Sequence, residues 1–212
     1  MANVKNNASA KETKRRLIDA AGEVFAQHGF ERATIKEITD RAGASVAAVN
    51  YHFSDKQELY DQVVQHIHEQ GCPVFRALSD TPADAPPADR LRAFVVRLLG
   101  HVLDPAQPAW FGQLKTREMS TPSPVTERWI TDTLQPFVLE LEDFVGTLVR
   151  HPVSAVERTR IANSIIGQVL YYAHNRDLCG RLHPEQPPAS ESVDAIADHI
   201  ARFTLAALSC WH

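Results

Sequence analysis

The segment over residues 34–53 constrains the fold of this chain most, because two short helical patterns lie on either side of a three-residue turn. Thr34 and Glu37 have the spacing of a capping box, which marks the start of the first helix. Gly43 can end that helix, and Ser45 can cap the second one. Two short helices around such a turn have the dimensions of a helix-turn-helix unit.

Longer helical patterns flank this pair on both sides. Residues 11–28 place apolar side chains at helical intervals, and Gly29 can terminate that helix. After the pair, residues 54–70 predict another helix, with Ser54 as its N-cap and Gln57 at the reciprocal position. The short pair is therefore expected to be braced by one helix before it and one after it.

The remainder of the chain also predicts helices and lacks the alternation that is typical of strands. The proline-rich stretch 79–89 cannot continue a helix and marks a domain boundary. Pro136 falls inside a later helix, where we expect a kink or a later helix start. The later helices are predicted over residues 89–103, 108–119, 124–150, 155–177 and 190–210. The predicted fold class is all-α, with a flexible amino-terminal arm over residues 1–10, a three-helix helix-turn-helix domain over 11–71 and a helical-bundle domain over 72–212.

Composition excludes several classes of protein. A hydrophobic content of 44% is too high for a wholly disordered chain. No apolar run approaches the ~20 residues that a membrane helix needs, and the amino end lacks the apolar region of a secretory signal. Cys72, Cys179 and Cys210 are far apart and odd in number, which favours reduced thiols over a disulfide framework. We therefore expect a cytoplasmic protein that does not enter a membrane.

The charge is unevenly distributed along the chain. The net charge is −4, yet five basic residues and one acidic residue lie between Lys5 and Arg16. A basic amino-terminal segment ahead of an acidic body is expected of a protein that contacts phosphates at one end. The alternative is the solvated, charged start of a helix.

Several residues of the amino-terminal part fit one register: Gly29-Phe30, Thr34-Ile35, Ile38-Thr39, Ala42-Gly43 and Tyr51-His52-Phe53 followed by Lys56 and Leu59-Tyr60. With them, the stretch over residues 13–63 resembles the DNA-binding domain of the TetR family of transcriptional regulators. The resemblance implies a homodimeric regulator, in most cases a repressor, that binds a palindromic operator in double-stranded DNA. It also implies a carboxy-terminal helical domain that dimerises and binds a small-molecule effector, which releases the operator.

Part of the second domain resembles one subgroup of that family. Residues 116–124, 164–168 and 171–176 are similar to TetR regulators with a CecR-like carboxy-terminal domain. The sequence of the second short helix, Ala48–Phe53, is also typical of that subgroup. This resemblance implies a fold and leaves the effector open.

The second short helix, over residues 46–53, is the expected recognition helix, whose first residues face base edges in the major groove. Those positions hold Val46, Ala47 and Asn50. Asn50 can form two hydrogen bonds with adenine, and the two apolar side chains can touch a thymine methyl group. These residues predict half-sites that contain A/T pairs.

Phosphate contacts must come from around the recognition helix, because that helix carries no Arg or Lys. Thr34 can offer its hydroxyl and the free N–H groups of its helix to a phosphate, and its alternative role is a plain N-cap. The resemblance implies phosphate contacts for Tyr51, His52 and Lys56, with Ser45 a further candidate. A second group, whose members are alternatively ordinary solvated charges, consists of Lys14, Arg15, Arg16, Arg32 and Lys36.

Two apolar stripes in the second domain predict the dimer interface. Two such helices from each subunit would form a four-helix interface, and the alternative is that both stripes bury the monomer's own core. The stripes are formed by Ile196, Ile200 and Phe203 on the last helix and by Ile161, Ile165 and Val169 on the preceding helix.

Candidate effector contacts follow from polar residues on apolar faces. Arg117 and Glu118 share the apolar face of the helix over residues 108–119 with Trp110. A buried charge needs a partner, so these two side chains are expected either to pair within the protein or to contact an effector. Three further candidates, alternatively satisfied polar groups of the core or interface, are His101, Gln168 and Tyr172.

Other classes of function have weaker support. The chain lacks a nucleophile elbow, a glycine-rich phosphate loop and a Cys-x-x-Cys pair, so no catalytic residue and no cofactor are predicted. A metal- or redox-responsive regulator could use His66, His68 and Cys72, but two ligands on one helical face are too few for a metal site. A helical adaptor that binds protein and not DNA is disfavoured by the basic segment and by Lys56.

Overall fold

The computed structural model describes residues 2–71, 74–76, 78 and 80–211, with side chains from residue 9 onward. Within these ranges every regular element is a helix and no strand occurs, which confirms the all-α prediction. The α-helices are α1 (Ala2–Arg32), α2 (Ile35–Ala42), α3 (Val46–His52), α4 (Lys56–Gly71), α5 (Pro87–Val102), α6 (Ala109–Ser120), α7 (Pro124–Trp129), α8 (Gln135–Leu148), α9 (Ala155–His174), α10 (Arg176–Leu182) and α11 (Val193–Ser209). None of the described helices combines the length and apolar character that a membrane crossing needs.

The helices divide into two compact units, and the chain enters each of them more than once. The first unit comprises Met1–Gln70 and Gln107–Trp129, and the second comprises Gly71–Ala106 and Ile130–His212. The predicted division differs from this one, because α6 and α7 belong to the first unit and not to a domain over residues 72–212.

Packing explains why α6 lies in the first unit. Trp110, Phe111 and Leu114 are buried in the same apolar core as the side chains of α1 to α4. Gly22 of α1 makes room for this contact, because a Cβ atom there would lie 2.5 Å from three ring carbons of Trp110. The sequence shows that α6 has an apolar face, but that pattern carries no information about which core receives it.

The first helix is longer than predicted. No glycine or proline interrupts residues 2–10, and they form the first turns of α1, at the position of the predicted flexible arm. Near its other end the helix is broken at Gly29, which has a φ of 74° that glycine adopts without steric cost. The break lies one residue beyond the predicted helix end, and the chain then continues to Arg32.

Local caps define the two short helices. The Thr34 hydroxyl accepts a hydrogen bond from the Glu37 N–H at 3.2 Å, and the Ser45 hydroxyl accepts one from the Ala48 N–H at 3.2 Å. Gly43 ends α2 in the left-handed conformation with a φ of 58°. The Glu37 carboxylate contacts His28 and Arg41 instead of completing the capping box.

The start of α4 differs from the prediction that Ser54 and Gln57 cap it. The Asp55 carboxylate accepts a hydrogen bond from the Glu58 N–H at 2.8 Å. In turn, the Glu58 carboxylate accepts one from the Ser54 N–H at 2.8 Å. Gln57 instead donates to Asp61 on the next turn. An aspartate caps a helix as well as a serine does, so composition alone could not distinguish the two positions.

The second unit has its own core, formed by α5, α8, α9 and α11. Its long helical pattern over residues 124–150 is interrupted where Pro136 falls. A π-helical turn over Ile130–Leu134 precedes α8, and Pro136 occupies the first turn of that helix, where its missing N–H costs nothing. The sequence expectation of a later helix start at this proline agrees with that arrangement.

Candidate nucleic-acid interface

The recognition helix α3 is anchored through one face and leaves the other exposed. Val49 and Phe53 are each only 1% exposed and lie in the core of the first unit. On the opposite face Val46 is 50% exposed and Tyr51 79% exposed, with Asn50 also exposed between them. Because α3 spans only two turns, this buried pair fixes which side chains point outward.

The predicted base-contacting residues therefore share one accessible surface, to which Ala47 also contributes. Apolar side chains as exposed as Val46 and Tyr51 have no role in the core of this unit. A short helix with an aliphatic, amide and phenol surface matches the chemistry of thymine methyl groups, adenine edges and phosphates.

Thr34 and Ser45 lie at the amino termini of α2 and α3, and both are exposed. Each hydroxyl oxygen already accepts a backbone N–H, which leaves the hydroxyl proton available for donation. The plain N-cap role and the predicted phosphate contact are therefore compatible. Lys36 is exposed on the first turn of α2.

Tyr51 and His52 adjoin each other at the end of α3. Their ring centroids lie 4.9 Å apart at an interplanar angle of 81°. His52 is half-buried, whereas most of the Tyr51 ring is accessible. The Tyr51 ring thus has one edge-to-face contact, with His52, and its phenol remains accessible to a ligand.

Lys56 has a different environment from the one predicted. Its ammonium donates to the carbonyl oxygens of Phe30 at 2.9 Å and Ala33 at 3.2 Å, and it lies 4.4 Å from the centroid of the Phe30 ring. A third carbonyl, that of Glu31, is 3.5 Å away. Because these acceptors use the donors of the ammonium, the structure gives Lys56 a structural role, and its phosphate contact stays a prediction. Lys56 ties the start of α4 to the end of α1.

Other predicted basic candidates also bind within the first unit. Arg16 donates to the Ala42 carbonyl at 3.0 Å and so caps the end of α2. Lys14 donates to Gln62 at 3.3 Å, and Arg32 donates to a carbonyl on the preceding turn. Arg15 pairs with acidic neighbours on α1. Sequence reasoning missed Arg41, which lies on α2 and reaches the side chains of Glu23, Gln27 and Glu37.

Three of the six predicted effector contacts lie in the first unit and not in a carboxy-terminal pocket. Trp110 is buried in the core, and Arg117 is exposed with one guanidinium nitrogen 3.4 Å from the Phe25 carbonyl. Glu118 is only 2% exposed, and within the described residues no ion pair involves it. The predicted pairing of Arg117 and Glu118 with partners holds for both, but the partners are a carbonyl and hydroxyl groups.

Hydroxyl groups surround the Glu118 carboxylate. Its Oε1 atom accepts a hydrogen bond from the Tyr60 hydroxyl, and Oε2 accepts one from the Thr126 hydroxyl. Ser123 donates to Oε2 twice, from its hydroxyl at 2.6 Å and from its backbone N–H at 3.1 Å. Burial opposes ionisation of this group, but these hydrogen bonds outweigh burial and lower the pKa of Glu118.

Two neighbours of Glu118 also have shifted pKa values. Burial and the nearby carboxylate raise the pKa of the Tyr60 hydroxyl far above its usual value. Burial lowers the pKa of His68 to about 4, and the charge of Lys115 acts in the same direction. His68 is therefore neutral near pH 7, and its Nε2 atom lies 3.0 Å from the Thr126 hydroxyl oxygen.

The other predicted effector contacts lie in the second unit. Gln168 and Tyr172 are half-buried on α9, and the Gln168 amide donates to the Ser164 carbonyl at 3.2 Å. His101 is half-buried near the end of α5. None of the six lines the described cavity of this unit, which has a volume of about 330 Å³. That cavity is lined by Phe75, Arg76, Asp132, Thr133, Pro136, Phe137 and Glu140.

A metal centre has little structural basis in the described part of the chain. His68 contacts Thr126, and the His66 ring lies against Phe111 with a centroid distance of 5.6 Å. Cys72, the third residue of the predicted alternative, lies outside the described residues. Among the residues that are described, no three His, Cys, Asp or Glu side chains form a group able to hold a metal ion.

Family models match both parts of the chain. Residues 17–63 match the model described as bacterial regulatory proteins, tetR family. Residues 87–208 match the carboxy-terminal domain of the HTH-type transcriptional dual regulator CecR, and this match spans more than half of the chain.

Curated relatives match mainly the amino-terminal part. The uncharacterized HTH-type regulator TtgW of Pseudomonas putida is 45% identical over 60 residues, which cover 28% of this chain and 45% of TtgW. The HTH-type transcriptional activator FasR of Mycolicibacterium smegmatis is 40% identical over 91 residues, which cover 42% of this chain and 40% of FasR. The matched segments thus span less than half the length of these relatives.

A solved structure matches nearly the whole fold. AibR, crystallised with isovaleryl coenzyme A and operator DNA, aligns with a TM-score of 0.62 at 21% identity. The alignment covers 90% of this chain and 97% of AibR. At this level of identity the likeness establishes a common fold and no more.

Proposed function

Because the chain belongs to the TetR family of bacterial regulators, with a CecR-type carboxy-terminal domain, we propose that it is a transcriptional regulator that binds double-stranded DNA. The observation that carries this proposal is the exposed face of α3, where Val46, Asn50 and Tyr51 stand over a buried anchor. Its site of action is the cytoplasm, where the DNA lies.

The recognition helix reads sequence through few contacts. Asn50 binds an adenine edge, and Val46 with Ala47 contacts thymine methyl groups. Phosphate contacts come from Tyr51, His52 and the helix N-terminal hydroxyls Thr34 and Ser45, with Lys36 adding positive charge. Lys56 supports this surface from within, and its predicted phosphate contact is tested by salt titration.

A homodimer presents two such helices to a palindrome. On α9 the exposed positions Ser164 and Gly167 are small and adjoin the exposed Tyr171, so another helix can approach closely. On α11 Phe203 is 60% exposed beside the small residue Ala207. Ile161, Ile165, Val169 and Ile200 belong to the core of the unit itself, so the interface uses the neighbouring faces of the two predicted helices.

A small-molecule effector bound in the second unit releases the operator. The candidate effector site is the described cavity of about 330 Å³, which is lined by two aromatic rings and three charged side chains. Binding of the effector favours a conformation with low DNA affinity, so a repressor would leave its operator. A repressor acts by occupying the promoter, and this action needs no contact with another protein.

Selection of binding sites from random duplex DNA tests this function. The protein is expected to enrich a palindrome whose half-sites contain A/T pairs. Asn50→Ala should lower discrimination at particular base pairs by about 1–3 kcal/mol, whereas Tyr51→Ala should weaken binding to every sequence. Gln65→Ala, on the exposed surface of α4, is the control. Equal loss on selected and random DNA for Asn50→Ala would contradict direct readout by this residue.

A further inference from the structure

The chain leaves the first unit through two helical segments. Helix α4 ends at Gly71, where the second unit begins, and α7 runs directly into the π-helical turn that starts at Ile130. Near these exits the rings of His68 and Trp129 stack, with centroids 4.2 Å apart and planes 9° from parallel. The two outgoing helices of the first unit are thus in contact near the points where they leave it.

The Glu118 carboxylate joins the same two helices at a second level. Tyr60 donates to it from α4, and Thr126 donates to it from α7. Tyr60 lies eight residues before His68, so their Cα atoms are about 12 Å apart along α4, but their side chains converge, because the His68 Nε2 atom lies 3.0 Å from the Thr126 hydroxyl that donates to Glu118. Because residues on separate turns of α4 are joined to α7 through this one network, a tilt or rotation of α4 against α7 breaks at least one of the contacts.

The donors and acceptors in this network follow from the number of protons that each group carries. The Thr126 hydroxyl gives its one proton to Glu118, so its oxygen can only accept from His68. The Nε2 atom of His68 therefore carries a proton, and the ring is neutral. Every hydroxyl in the network points its proton toward the carboxylate, and a neutral amide in place of Glu118 would not serve all these donors.

The hydrogen-bond network around Glu118 contributes less to the free energy of unfolding than apolar packing of the same volume could. A buried carboxylate without a cation partner loses its hydration, and apolar side chains of the same volume often give an equal or greater free energy of unfolding. Directional hydrogen bonds, in contrast, specify one arrangement of the helices that carry them. The arrangement matters because only three residues separate α3 from α4, so the angle of α4 sets that of α3.

We propose that Glu118 is a positioning residue for DNA binding: its carboxylate fixes α4 on α6 and α7, and thereby sets how the two recognition helices of a dimer are spaced. The inference rests on the proposed function, since it presupposes a regulator that binds two half-sites at once. It predicts that loss of the network affects binding to two half-sites more than binding to one.

The test compares two duplexes, the selected palindrome and a duplex with a single half-site. Glu118→Gln removes the charge and keeps the volume, and Glu69→Gln makes the same change on the exposed surface of α4 as the control. Glu118→Gln should weaken binding to the palindrome about tenfold and change binding to the single half-site by less than about twofold. It should also reduce the preference for the native spacing over spacings one base pair longer or shorter.

Tyr60→Phe keeps the conclusion independent of whether Glu118→Gln folds. It removes one donor to Glu118 and retains the edge contacts of the ring with Phe25 at 4.8 Å and Phe30 at 5.2 Å. Tyr60→Phe should also weaken binding to the palindrome more than binding to the single half-site, with a smaller loss of affinity than Glu118→Gln. Circular dichroism melting checks the fold of each variant.

Two results would overturn the inference. Folded variants that lose palindrome and half-site binding equally would assign Glu118 a structural role only. Variants that bind both duplexes as the wild type does would remove any role in DNA binding. Failure of the wild-type protein to enrich a two-half-site operator is a separate result, because it contradicts the proposed function itself.

Discussion

Lys56 illustrates how a side chain that is predicted to contact phosphate can also stabilise the helix-turn-helix unit. Its ammonium holds the carbonyls of Phe30 and Ala33 and covers the Phe30 ring. These contacts join the end of α1 to the start of α4 around the helix-turn-helix pair. The residue pattern predicted its presence in this unit but assigned it to phosphate.

Lys56→Ala should therefore lower the stability of the first unit. Hydrogen bonds from a charged group to buried carbonyls contribute about 1.5–3 kcal/mol, so a loss of about 2 kcal/mol in the free energy of unfolding is expected. Lys36→Ala removes an exposed lysine predicted to contact phosphate, so it should reduce the salt slope by about 0.9 for each subunit, which is about 1.8 for a dimer on its operator, with little effect on stability. Urea unfolding measures the free energy of unfolding, and salt titrations measure the salt slope. An unchanged free energy of unfolding for Lys56→Ala would contradict its structural role, and a reduced salt slope would support its predicted phosphate contact.

His68 should make the stability of the first unit depend on pH. Its pKa is lowered from 6.5 to about 4, so the folded state binds a proton less readily than the unfolded state. Stability is complete above pH 6.5 and falls as the pH drops from 6.5 to 4, and the loss by pH 4.5 is about 2–3 kcal/mol. His68→Gln should remove this part of the pH dependence, and His151→Gln, at an exposed histidine, is the control. Parallel stability curves for His68→Gln and the wild type would contradict the assignment.

At the scale of helices, the contact between α1 and α6 decides how the first unit is assembled. A Cβ atom at Gly22 would overlap the Trp110 ring, whereas at Gly112 on α6 nothing lies within 4 Å. Gly22→Ala should lower the free energy of unfolding by about 1–3 kcal/mol, because neither helix backbone nor indole can move freely. Gly112→Ala should raise it by about 0.5–1 kcal/mol, since alanine favours the helix. Thermal melting compares the two, and equal shifts would show that α6 does not pack closely on α1.

Helix positions were largely predictable, because the caps and the apolar spacing are local. Thr34, Gly43 and Ser45 mark the short helices in both the sequence and the structure. The partners of α6 were not predictable. Glu118 and Tyr60 lie 58 residues apart in the chain, and the apolar face of α6 could be matched to either core from the sequence. For this reason the sequence could not show that the partners of Glu118 are hydroxyl groups, and an effector contact of Glu118 stays a prediction.

At the scale of the whole molecule, the chain combines one exposed recognition helix with a second unit that has its own core. The proposed dimer would use the exposed small and aromatic residues on α9 and α11 to bring two such helices to a palindrome. Phe203→Glu places a charge on that surface and leaves the core of the unit intact, because Phe203 is 60% exposed. It should convert dimers to monomers and abolish tight operator binding, and sedimentation with DNA titration measures both. A dimer that persists in this variant would place the interface elsewhere.

The most direct test of the central claim is the number of chains bound per selected operator, measured by native mass spectrometry across a titration. Two chains, or four on a longer site, bound to a palindrome with strong dependence on its sequence are the expected result. Binding that ignores sequence, or a single chain on each palindrome, would contradict a dimeric regulator that reads DNA through α3.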